Sequence, residues 1–203
     1  MMSEERVGVK PLASLEWLNS RFAGVATGRN VLLVFIATLM ALSLFGLWLV
    51  PAFQAVSGGL YPIDMSFPTT PAVIYREYGA YTAESRQIYR WFFVVDFFWP
   101  PLLATLFAIS WSWLASLCGS TLPQRMIASG LLLLPFAEAL LDVLENIGFL
   151  LLLETYPRKL LALAWATGII KHTKLVLYLF CWIVTVQFAG LAVAGAVNRW
   201  RQT

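Results

Sequence analysis

Four stretches of this chain run apolar for about twenty residues or more, the length an α-helix needs to cross the ~30 Å hydrocarbon core of a bilayer. They lie at about 31–50, 91–117, 126–153 and 173–197. The first carries no charge and the second only Asp96. The third holds Glu138, Asp142 and Glu145, and the fourth has Lys174 near its start. Runs this long and this apolar predict an all-α integral membrane protein, with four transmembrane helices in one bundle over 31–197.

The segments between the runs predict the rest of the architecture. Residues 51–90 are long for a connection, and loops beyond ~15 residues are usually functional or disordered. This one holds Tyr61, Phe67, Tyr75, Tyr78, Tyr81 and Tyr89, too many aromatics for a solvated linker. Thr70 before Pro71 has the pattern of an N-cap followed by proline in the first turn, which predicts a short helix from Pro71 to Tyr78, ending near Gly79. The segment is expected to form an ordered cap over the outer mouth of the bundle. The second outer segment, 154–172, contains the apolar run 160–170. That run is too short to span and predicts an interfacial or re-entrant helix; the alternative is a fourth helix extended back to near Arg158. Within the N-terminal segment 1–30, Ser14 to Phe22 reads as an amphipathic surface helix with Trp17 and Phe22 as anchors, or else as a disordered tail.

Basic residues set the expected orientation. Arg6, Lys10, Arg21, Arg29, Arg125, Arg199 and Arg201 fall on the terminal side, against Arg76, Arg86, Arg90, Arg158, Lys159, Lys171 and Lys174 on the other. The two sets are equal in number, so the first span decides. Arg21 and Arg29 stand directly before it, which puts the 1–30 segment and a 198–203 tail in the cytoplasm, for a protein of the cell membrane or a bacterial inner membrane.

Composition agrees and narrows the chemistry. The chain is 60% hydrophobic and only 12% charged, where soluble domains average about 25% charged. A net charge of +3 without any Lys/Arg run excludes a nucleic-acid binder. Cys118 and Cys181 fall at different expected depths and should both be free, and a single histidine, His172, rules out a His-rich metal site. Neither metal nor cofactor is expected, and no Gly-rich phosphate loop, H-E-x-x-H or G-x-S-x-G motif is present.

The acids of the third run carry the chemical signal. Glu138, Asp142 and Glu145 are spaced i, i+4, i+7, which places them within about 60° on one helix face over ~10 Å of rise. Asn146 flanks that face. An ionised acid near the bilayer centre costs on the order of 3 kcal/mol, so the face must look into the bundle or a water-filled cavity. Pro135, and Pro100–Pro101 just after Asp96, are expected to kink their helices beside these acids. On the fourth run Lys171 and Lys174, with His172 between them, begin a stripe continued by Tyr178, Cys181 and Thr185. By depth, Asp96, Asp142, Glu145 and Lys174 should converge, while Glu138 lies deeper without a cationic partner.

Three functions fit this pattern. The first is binding or transport of a small polar ligand, ion or lipid headgroup in a charged intramembrane pocket open to the outer side. Its residues would be Asp96, Glu138, Asp142, Glu145, Asn146, Lys171, His172, Lys174, Tyr178 and Arg90. The second is an accessory or structural membrane subunit whose buried charges fix helix packing, alone or against a partner subunit or a second copy. The third is a lipid-directed enzyme using paired carboxylates as acid and base.

Overall fold

The computed structural model describes residues 13–201. The expectations for Arg6, Lys10, the rest of 1–12 and the last two residues lie outside the described residues. Among those described there are helices and no strand. α1 (Ala13–Val25) precedes a single 30-residue helix made of α2 (Gly28–Leu44), a π-helical turn (Phe45–Leu49) and α3 (Val50–Ser57). α4 (Pro71–Ala80), α5 (Ala83–Asp96) and α6 (Trp99–Leu117) follow, then α7 (Leu122–Ala128), α8 (Leu133–Thr155) and α9 (Leu161–Trp200). Gly28–Ser57, Ala83–Leu117 and Leu161–Trp200 are each long and apolar enough to cross a membrane. α7 with α8 makes a fourth such element if that pair, bent by 51°, counts as one.

Local chemistry explains the breaks. Pro51 cannot donate to the carbonyl of Leu47, and the wide π turn, closed by Val50 N–H donating to Phe45 O, takes up the misfit just ahead of it. α3 stops at Gly58 and Gly59, at φ +73° and +87°, both N–H groups donating to Gln54 O. α5 ends at Asp96, and Pro100 and Pro101 sit in the opening turn of α6, so the helix is interrupted beside Asp96, while Ala83–Leu117 still runs on as one 35-residue span without the sharp bend found between α7 and α8. Pro135 behaves differently from expectation. It lies in the first turn of α8, where no N–H is needed, and the bend falls earlier, around Gly130 at φ +101°.

Two further expectations need correction. The segment 154–172 holds no separate interfacial helix; the alternative forms instead, as α9 runs unbroken for 40 residues. No proline follows Pro157, and the run is rich in Leu and Ala, which propagate a helix readily. The region 126–153 is likewise not one straight helix but the later part of α7, a turn and most of α8. The N-terminal helix forms, but of its two expected anchors Trp17 is exposed and Phe22 is half-buried. Phe22 packs on Phe136 at 5.6 Å, and Asn19 Nδ2 donates to Ile127 O at 3.2 Å, so α1 is fastened to the end of the helical columns.

The columns alternate in direction. α2 runs against α6, with Gly28 beside Trp113 and Phe45 beside Trp99. α8 runs against α9, with Asp142 beside Lys174 and Gly148 beside Thr167. α6 and α9 are parallel, Phe107 meeting Trp182 and Trp111 Nε1 donating to Thr185 Oγ1 at 2.8 Å. Two apolar clusters result. One gathers Phe45, Phe53, Tyr78, Tyr89, Phe92 and Phe149 beneath the 58–82 segment; the other gathers Leu103, Phe107, Trp111, Leu132, Val184 and Phe188 at the opposite end. Many large apolar side chains still face outward, including Leu33, Met40 and Leu47, Leu144 and Leu151, and Leu179, Ile183 and Val186. The most apolar helix, Gly28–Ser57, is also the least buried.

The 51–90 segment is ordered as expected. Thr70 Oγ1 accepts from Val73 N and caps α4. Tyr78 OH donates to Phe149 O at 2.9 Å, and Tyr75 OH accepts from Leu160 N at 2.5 Å, pinning α4 to the ends of α8 and α9.

Candidate functional site

Between the two apolar clusters lies a polar layer built by three columns. α5 contributes Asp96 as its last residue, α8 contributes Glu138, Asp142, Glu145 and Asn146, and α9 contributes Lys174 and Tyr178. The four α8 side chains are all buried. Their shared helix face is the cause: α8 presents it to α9, its principal packing partner, and to α6.

Lys174 joins the layer. Its Nζ donates to Asp142 Oδ1 at 2.9 Å and stands 2.5 Å from Glu145 Oε2, the second contact lying outside hydrogen-bond geometry. Asp96 is beside Asp142 and near the Asn146 amide, whose Nδ2 has no hydrogen-bond partner among the described residues. Glu138 Oε2 and Glu145 Oε1 are buried and equally unpartnered. A cavity of about 190 Å³ opens onto Glu138, Asp142 and Lys174, walled by Trp99, Leu103, Leu175 and Tyr178. At roughly 30 Å³ per water it holds about six water molecules, below the ~300 Å³ at which pockets for drug-sized ligands begin. Its mouth includes Leu175, which is exposed on the outer surface of α9, so the cavity reaches the side of the columns as well as their interior.

Not every residue expected here arrives. Lys171 points away. Its Nζ donates to Ser66 O at 2.6 Å, Thr69 Oγ1 at 2.8 Å and Ile63 O at 3.4 Å, and lies 4.1 Å from the centre of the Phe67 ring. The 63–69 stretch offers it three oxygens and an aromatic face, one acceptor for each ammonium proton. His172 also turns outward, Nδ1 pairing with Gly168 O at 2.6 Å and the ring edge meeting Phe67. Arg90 is held at the surface by a two-pronged pairing with Glu154, Nε to Oε1 at 2.5 Å and Nη2 to Oε2 at 3.2 Å. Cys118 and Cys181 are free, and Cys181 is buried close to Glu138. Among the described residues no group of three or more His, Cys, Asp or Glu is arranged to hold a metal ion.

Sequence reasoning missed Asp64, Trp99 and Leu103. Asp64 lies in the short 3₁₀ turn Ile63–Met65, where Oδ1 accepts from Tyr89 OH at 2.8 Å. An acid inside an aromatic- and proline-rich ordered segment was the available signal. Trp99 and Leu103 are uncharged residues inside an apolar run, where spacing alone carries no such signal. Desolvation outweighs the Tyr89 hydrogen bond and the charge of Lys171, and holds the Asp64 carboxyl above its ordinary value of 3.8. A raised acid favours the folded chain while protonated, and that contribution is lost as pH rises through the folded value. Asp64→Asn keeps an acceptor for Tyr89. Its melting temperature relative to the parent should therefore rise across a pH window that begins at about 4. A difference that stays constant over that window, measured in detergent micelles, would show that Asp64 is fully compensated.

No protein-family model, no curated protein and no solved structure matches the chain.

Proposed function

We propose that the chain is a multi-pass membrane protein that binds or transports a small polar ligand through a cationic group, or a proton, in the acid-rich cavity between α6, α8 and α9. Four passes fit best: Gly28–Ser57, Ala83–Leu117, the bent α7–α8 pair and Leu161–Trp200. The outward-facing Leu, Ile, Val and Met of these helices make an apolar surface far beyond what a soluble monomer exposes. Both termini on the cytoplasmic side is the orientation the charges favour. Of the cations at the loop end, Lys171 and Lys174 are committed inside the protein, Arg90 is paired with Glu154, and Arg86 donates to Tyr78 O. Fewer therefore compete with Arg21 and Arg29. The 58–82 segment is then the outer cap.

The observation that carries the reading is a charge surplus. Four carboxyls, those of Asp96, Glu138, Asp142 and Glu145, share the single ammonium of Lys174, and the cavity touches Glu138, whose Oε2 has no hydrogen-bond partner among the described residues. At ~3 kcal/mol for each uncompensated charge in hydrocarbon, a surplus of this kind calls for a proton or a cation. The cavity's size limits the cationic group to an ammonium or a small primary amine with its water.

Glu138→Gln tests this. Glu138 makes no hydrogen bond or ion pair among the described residues, so the variant should keep its melting temperature while losing function. In proteoliposomes loaded with a pH-sensitive dye, the parent should carry protons or show stabilisation by ammonium or methylammonium, and the variant should lose about tenfold or more of that response, as a buried charged partner implies. A parent inert to protons and amines, or a variant as active as the parent, overturns the reading.

A structural role is the second reading, and the double engagement of Lys174 favours it, since that side chain ties α9 to α8 through two acids. Catalysis draws no comparable support: the cavity offers carboxyls, an ammonium and a phenol but no serine or cysteine.

A further inference from the structure

On the opposite flank of α9 the structure holds a groove that the acid cavity does not involve. Two cavities lie end to end along the helix and share Thr70 and Trp165 in their walls. The larger, about 560 Å³, is lined by Arg76 and Lys159 together with Tyr75 and the opening residues of α4. The smaller, about 320 Å³, runs on between Pro68 and the Gly168, Ile169 and His172 stretch of α9. No carboxylate lines either one. Arg76 is three-quarters exposed, its nearest acid being Glu77 at 4.0 Å, and Lys159 rests only over the Tyr75 ring at 5.9 Å. The groove thus has a cationic head and a continuation with little charge.

We propose that this groove binds one anionic phospholipid, its phosphate between Arg76 and Lys159 and an acyl chain along α9. The proposal rests on the membrane reading above but not on the acid cavity. Three features select a lipid over a soluble anion. The cations stand at one end of an exposed apolar stripe, Leu161, Trp165 and Ile169, each more than half exposed and spaced four residues apart on one face of α9. From Leu161 to His172 the helix rises about 16 Å, close to the ~15 Å of one leaflet's hydrocarbon. Trp165 lies where the cationic and apolar parts meet, the level at which indole rings gather in membranes. Gly168 lets α9 itself pack against the loop that walls the groove, because a Cβ there would stand 2.7 Å from Thr69 O.

Native mass spectrometry of the full chain from micelles containing phosphatidylglycerol and phosphatidylcholine tests the proposal. The parent should retain one phosphatidylglycerol in preference to phosphatidylcholine. Arg76→Gln with Lys159→Gln should weaken that retention about twenty-five-fold, at roughly a factor of five per cation near a lipid surface. Arg158→Gln, which removes a charge at the same end outside the groove, should leave it unchanged. Both altered residues are exposed, and an unchanged melting temperature confirms that the double variant is folded. Equal retention of the two lipids, or a double variant no weaker than the parent, overturns the site. Displacement of the lipid by millimolar inorganic phosphate or glycerol phosphate would reassign it to a soluble anion and overturn the lipid. Loss of proton or amine response in Glu138→Gln bears on the acid cavity alone, so the two outcomes separate.

Discussion

Lys174→Met should be the most damaging single change in the polar layer, costing about 3–5 kcal/mol of folding free energy, as expected when one partner of a buried ion pair is removed. Methionine nearly matches the lysine stem in volume, so the loss isolates charge from packing. Asp142 and Glu145 would be left facing each other and Asp96 without the ammonium that both contact. Thermal unfolding in micelles should show a large fall in melting temperature. Adding Asp142→Asn and Glu145→Gln to the same chain should recover most of it, because a neutral layer no longer needs a cation. If Lys174→Met alone unfolds like the parent, the acids are already neutral and the ammonium holds nothing together. The triple variant also separates the two readings of the site. Full stability without any proton or amine response is the outcome for a binding cavity, and full stability with wild-type behaviour is the outcome for a scaffold.

Gly148→Ala should rank second. α8 and α9 lie close together here, and even a methyl group at Gly148 would overlap the buried Thr167 side chain. Separating the helices to make room costs about 1–3 kcal/mol, typical of overpacking. Gly148 is one turn from Glu145, and Thr167 two turns from Lys174, so the parting also lengthens the ion contacts. Thr167→Ala in the Gly148→Ala background should return part of the lost stability. No change in melting temperature with Gly148→Ala would mean that the two helices are not held at this distance in the folded protein.

The contrast between what the sequence disclosed and what it hid follows from where each kind of information resides. Helix-period spacing is local, so the common face of Glu138, Asp142 and Glu145 and the capping pattern of Thr70–Pro71 could be read directly, and both occur in the structure. Convergence of Asp96 and Lys174 on that face followed from depth alone. The direction of a long side chain is not local. Lys171 and Lys174 share a helical face, yet one reaches the loop and the other the acids, because only the fold shows that the carbonyls of Ile63 and Ser66 stand above Lys171. Arg90 was drawn off by Glu154, sixty-four residues distant, which no periodicity could reveal. The unbroken length of α9 was obscured for a different reason. Arg158, Lys159 and Lys171 bracket an apolar run in the way a surface helix would, and only the fold shows that the helix continues through Lys171, with Gly168 packed against Thr69.

One consequence of that unbroken α9 is mechanical. The ammonium that fastens the 63–69 turn and the ammonium that neutralises the carboxyl layer ride on one rod, separated by only about 4.5 Å of rise. Sliding or rolling the rod displaces both fastenings together, so the lid over the columns and the charge balance beneath it cannot loosen independently.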